Sequence, residues 1–117
     1  MLNVQKKLAN TLLNELELFE EVVANAATEK KPNEDVSDEY IEQWNERIIR
    51  NTNLNIEKLR KAISDDSWNE VKDISGNYLS IGKKLDSFGC GWTKLESEID
   101  NRSDFLFKSA KDIEMSN

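Results

Sequence analysis

One proline and four glycines in 117 residues leave this chain few places to turn, and where they fall largely decides what it can fold into. Pro32 lies in a polar stretch near one third of the chain, and Gly76, Gly82, Gly89 and Gly91 gather in residues 76–91. The long tracts outside these breakers repeat their apolar residues with a helical period. The first helix is predicted over 3–27: Leu2, Ala9, Leu12, Leu16, Phe19, Val23 and Ala26 recur at helical spacing, and Leu8, Leu13 and Val22 widen the stripe. Glu15, Glu17, Glu20 and Glu21 fall off that seam.

The segment TEKKPNEDVSDE holds the proline and carries a charge of −3 over residues 29–39, so 28–37 reads as an acidic connecting loop. Ser37 suits an N-cap and Val36 before it can staple against Ile41, which starts a second helix over 38–64. Its seam is Ile41, Trp44, Ile48, Ile56, Leu59 and Ile63, with Thr52 standing where a larger apolar residue is usual. Asn51, Asn53 and Asn55 are weak helix formers. Because the apolar phase survives them, one continuous helix is expected, with a kink near 51–55 as the alternative.

Ser67 and Glu70 have capping-box spacing and open a third helix over 68–88, with Trp68, Val71, Ile74, Tyr78, Ile81, Leu85 and Phe88 in phase. Gly76 and Gly82 inside it have two readings: close approach of a neighbouring helix, or a break at 75–77. A fourth helix over 92–114 carries Leu95, Ile99, Leu106, Ala110 and Ile113 on one face. Between these two helices DSFGCGWTKLE reads as a corner, where Gly89 ends one helix, Thr93 and Glu96 cap the next, and Trp92 covers the end of the bundle. No stretch alternates like a strand. Four amphipathic helices on short connections predict an all-α fold, an antiparallel up-and-down bundle in a single domain, 1–117. With 38% hydrophobic and 33% charged residues the surface must be large relative to the core, which an elongated helical shape provides.

Chemistry has little to work with. The chain has no histidine and one cysteine, Cys90, so an intramolecular disulfide and a Cys/His zinc site cannot be built, and Cys90 lacks the usual base for a nucleophile. Carboxylate groupings for Mg²⁺ or Ca²⁺ (Glu17, Glu20 and Glu21, or Glu96, Asp100 and Asp104) lie mostly outside the apolar seams and read as solvated faces. The glycine spacings match no phosphate-cradling loop. No catalytic residue, metal or cofactor is therefore expected, and the chain reads as a non-enzyme.

The net charge of −7, with lysines and arginines interleaved among carboxylates, disfavours nucleic acid and anionic membrane and suits another protein, basic in charge, as partner. The N-terminal stretch lacks a continuous apolar core and no apolar run reaches membrane-spanning length, so a cytoplasmic location is expected. Leu106 lies on the seam of helix four, which turns Phe105 and Phe107 about 100° to either side. Either both rings complete a wide core, or at least one is exposed and marks a partner-binding face, to which Tyr40 and Leu54 on helix two would add. The function these features predict is a small acidic binding protein that neutralises, caps or chaperones a protein partner, in the manner of an inhibitor, immunity protein, antitoxin or adaptor. The alternative is a self-associating assembly component whose coiled-coil-like spacings continue across a subunit boundary into a homo-oligomer.

Overall fold

The computed structural model describes residues 1–28, 39, 43, 45–80 and 96–116. Four α-helices follow one another in these residues: α1 (Asn3–Thr28), α2 (Arg50–Ser64), α3 (Trp68–Gly76) and α4 (Glu96–Met115), with a single π-helical turn, Asn45–Ile49, leading into α2. There is no strand among the described residues. The arrangement is the antiparallel up-and-down bundle that the spacings predict, 50 × 21 × 17 Å in extent. α1 is its spine. It packs most extensively against α4 and also touches α2, the π turn and α3, while α2 and α4 lie diagonally opposite, each against α1 and α3.

The core is largely the predicted seams brought together, with Ala62 of α2 joining it and the expected Ile63 left at its edge. Ala9, Leu12, Leu16, Phe19 and Val23 from α1, Ile56, Leu59 and Ala62 from α2, Val71 and Ile74 from α3, and Ile99, Leu106, Ala110 and Ile113 from α4 are all buried. Leu8, Leu13, Val22, Ile48, Ile49, Ile63 and Trp68 pack against its edge. Each large apolar side chain taken fully out of water contributes about 1.5–3 kcal/mol, so this seam carries most of the stabilisation. Polar residues within it are made tolerable locally. The hydroxyls of Ser103 and Ser109 donate to the carbonyls of Ile99 and Phe105 four residues back, at 2.6 and 3.0 Å. Their oxygens thus enter the interior already bonded.

Several boundaries differ from the expectation, each for a readable reason. Leu2, placed on the α1 seam by its spacing, is 70% exposed because it precedes the helix, and its backbone N–H is taken by Gln5 Oε1 at 2.9 Å. Asn51, Asn53 and Asn55 do not kink α2, which runs unbroken from Arg50 to Ser64. The departure from α geometry comes earlier, at the π turn, whose wider ring lets the consecutive Ile48 and Ile49 both reach the core. The regular part of α3 stops at Gly76 and gives way to turns through residue 80, so of the two readings for Gly76 the break is the one observed. Among the described residues a Cβ built on Gly76 meets no atom within 4 Å, so none of their helices approaches it closely. The predicted remainder of helix three, residues 86–95 of the corner with Cys90 and the Thr93 cap, and the 28–37 loop beyond Thr28 lie outside the described residues.

The α2–α3 corner is tighter than a capping box alone. Asp66 N–H donates to the carbonyl of Ile63 and Ser67 N–H to that of Ala62, closing α2 in the paired-bond pattern that normally ends in glycine. Here the left-handed position is Asp66, at φ 57°. Its carboxylate Oδ2 accepts from the Met1 amino group at 2.6 Å, which ties the start of α1 to this corner and holds the Asp66 carboxyl below its ordinary value. Ser67 then serves as N-cap of α3, its Oγ accepting from Glu70 N–H at 3.4 Å. The reciprocal half of the predicted box does not form with the Ser67 N–H, since Ala62 already holds it.

Tyr78 closes the far end of the α2–α3 hairpin, its buried hydroxyl accepting from Asn55 Nδ2 at 2.8 Å. Burial pushes its phenol up to about 12. A group whose acid form is favoured in the folded chain contributes stability that is complete below its unfolded pKa of about 10 and is lost as pH rises through 12. Chemical denaturation at stepped alkaline pH should therefore show stability falling between about pH 10 and 12, and Tyr78→Phe should remove most of that slope. Gly76→Ala, which fills open space at a position without a positive φ, should raise stability by about 0.4–1 kcal/mol in the same assay at neutral pH.

Candidate protein-binding surface

α4 presents its seam to α1 and α3 through Ile99, Ser103, Leu106, Ala110 and Ile113, a spacing that leaves the residues beside Leu106 at the edges of the contact. Phe105 and Phe107 stand there, 45% and 39% exposed. Both rings therefore lie outside the core, and the reading in which they complete it is overturned. They do not form one patch, because successive positions two apart on a helix are separated by about 200°.

Phe105 occupies the flank of α4 that faces α1. Arg102, one turn earlier, places its guanidinium carbon 4.7 Å from the ring centroid, and Lys108, one turn later, its Nζ at 5.7 Å. Both distances are within the range where a cation is attracted to an aromatic face. Arg102 is itself held: its Nη1 lies 3.6 Å from Glu15 Oε2 on α1. That carboxylate oxygen is buried and has no hydrogen-bond partner, so the guanidinium is its compensating charge. Glu15, expected off the seam among the solvated glutamates, is thus a half-buried anchor of the α1–α4 flank. The result is an exposed aromatic ring on a rigid helix, with a fixed cation on one side and a second within reach on the other.

Leu54, the candidate from helix two, is also exposed, at 47%, but on α2, diagonal to α4. The structure does not bring it into a common surface with Phe105. Tyr40 lies outside the described residues. Leu2, Val4 and Met115 are the remaining large exposed apolar side chains among those described.

Sequence reasoning missed the cations around Phe105 and the role of Glu15. The former had a signal, since Arg102 and Lys108 sit three residues before and after Phe105 on the same helical face. The latter had none, because it depends on which neighbour α1 meets.

Between α1 and α2 runs an open groove of about 460 Å³ lined by Glu17, Glu20, Asn53, Ile56, Glu57 and Arg60. Arg60 Nη2 donates to Glu17 Oε1 across it at 3.0 Å, which leaves two further carboxylates on its walls and Ile56 beneath. Among the described residues no three Asp, Glu, Cys or His side chains are grouped so as to hold a metal ion, and no helix is long and apolar enough to cross a membrane. Comparison with protein-family models, with curated proteins and with solved structures returns no match.

If Phe105 is a surface ring, truncating it should cost little. Phe105→Ala and Phe107→Ala should each lower the free energy of unfolding by about 1 kcal/mol or less, whereas Leu106→Ala between them should cost about 2–5 kcal/mol. Equilibrium denaturation of the three variants checks the contrast.

Proposed function

We propose that this chain is a non-enzymatic protein-binding module, a small acidic helical protein that neutralises, caps or chaperones another protein in the manner of an inhibitor, immunity protein, antitoxin or adaptor. The observation that carries the reading is Phe105: a large apolar ring left at the surface of a well-packed helix and flanked by Arg102 and Lys108. Aromatic and arginine side chains supply a disproportionate share of binding energy at protein interfaces, most of all where they are held in place before the partner arrives. Arg102 meets that condition through Glu15. Phe107 offers a second contact on the other flank of α4.

The absence of histidine from the sequence removes the commonest acid–base group and the usual activator of the lone Cys90, and this favours binding over catalysis. The net charge of −7 acts at longer range, steering a partner of opposite charge and remaining sensitive to salt. A cytoplasmic setting goes with this reading, as does independence from nucleic acid and membrane.

Affinity capture of the tagged protein from its native cells, at low and high salt, tests the proposal. One stoichiometric partner protein should be retained by the parent chain and lost or strongly reduced with Phe105→Ala, while circular dichroism of that variant stays unchanged. Capture of no protein other than the chain itself, at either salt, would overturn it.

A further inference from the structure

The geometry points to a second, homotypic use of the same surface: the Phe105 ring with Arg102 and Lys108 on one copy docks into the α1–α2 groove of another. It rests on the reading of Phe105 as an interaction residue but names a different occupant, a second copy of this chain. The two surfaces are complementary in charge and in kind. One is a projecting aromatic ring with a cation on either side, at 4.7 and 5.7 Å. The other is an open groove of about 460 Å³ whose described walls carry the carboxylates of Glu17, Glu20 and Glu57 and the guanidinium of Arg60, with the buried Ile56 below and Glu20 and Glu57 beyond the Arg60–Glu17 pair.

A phenyl ring is apolar enough to gain from covering the aliphatic stems of the wall side chains above the buried Ile56. Lys108 and the outer edge of Arg102 then meet Glu20 and Glu57, charges that no cation among the described groove residues balances beyond the Arg60–Glu17 pair. Elsewhere the chain is strongly acidic, so this cation-flanked ring is a place where a copy of the same protein is attracted and not repelled.

One chain cannot satisfy its own groove. Phe105 lies on the flank of α1 that meets α4, as the Arg102–Glu15 pair shows, and the groove lies on the flank that meets α2. Because ring and groove are different patches, the contact is heterologous, and a pair of copies keeps one free groove on the first and one free ring on the second for further neighbours unless the assembly closes. The net charge of −7 on every copy opposes association at long range. At about 0.15 M salt, where charges separated by more than about 8 Å are largely screened, the local complementarity acts with less opposition.

A mixing experiment separates this contact from any other mode of association. A ring-deficient variant, Phe105→Ala with Lys108→Glu, keeps an intact groove; a groove-deficient variant, Glu20→Lys with Glu57→Lys, keeps an intact ring. Light scattering coupled to size-exclusion chromatography, or sedimentation velocity, over rising concentration at about 0.15 M salt, gives the readout. The parent chain should show concentration-dependent association, each variant alone should be monomeric with parental circular dichroism, and an equimolar mixture of the two should form a one-to-one complex. A parent that remains monomeric at all concentrations overturns the inference, and leaves binding of a different protein standing. Association that persists in either variant, or two monomeric variants that fail to pair on mixing, overturns it as well.

Discussion

Burial of the α1 seam against α4 is the interaction on which the rest of this molecule depends. Leu12, Leu16, Phe19 and Val23 on one side and Ile99, Leu106, Ala110 and Ile113 on the other are all sealed from solvent, and the remaining helices attach to the pair. α1 touches α2, α3 and α4, so a loss of order in that one helix removes a wall from every other contact. The seam also fixes what stays outside. By committing Leu106 to the interior it turns Phe105 and Phe107 outward, and by bringing Glu15 beside Arg102 it locks the cation that lies over Phe105.

The polar features of the bundle secure its ends more than its middle. Asp66 adopts a backbone conformation that usually selects glycine, and a carboxylate at that position reaches the Met1 amino group, closing α1 onto the α2–α3 corner. At the opposite end of that hairpin Tyr78 and Asn55 satisfy each other in a largely dry setting. Between these points the exposed ion pairs Arg60–Glu17 and Lys111–Glu114 contribute little to stability, since water competes for both partners. Glu15 and Arg102 differ because the carboxylate oxygen has left water, which makes the guanidinium structurally necessary.

Much of this was legible in the sequence. Seam residues were identifiable because helical periodicity reports burial directly wherever a helix is long, as in α1 and α4. Leu2 was misplaced because periodicity does not reveal where a helix begins. Gly76 was ambiguous for a related reason: a glycine that admits a neighbour and one that releases a helix look alike until the space around it is known. The π turn had no sequence signature, being a response to two adjacent isoleucines that both gain from reaching the core. For the surface, the residue types were visible and their grouping was not. Phe105 and Leu54 were both recognised as apolar residues in excess of the seams, but only the packing order shows that they stand on helices diagonal to each other. The spacing of Arg102 and Lys108 about Phe105 was present in the chain, yet its meaning came from finding the ring outside the core.

The central claim is that the bundle is complete without Phe105 and holds that ring ready at its surface. Fluorine NMR of protein labelled with fluorophenylalanine tests it most directly, with resonances assigned by single Phe→Leu variants and compared in ordinary and heavy water. The account predicts a clear solvent-isotope shift for Phe105 and Phe107 and none for the buried Phe19. A Phe105 resonance as indifferent to solvent as that of Phe19 would contradict it, since the ring would then belong to the core and have nothing to offer a partner.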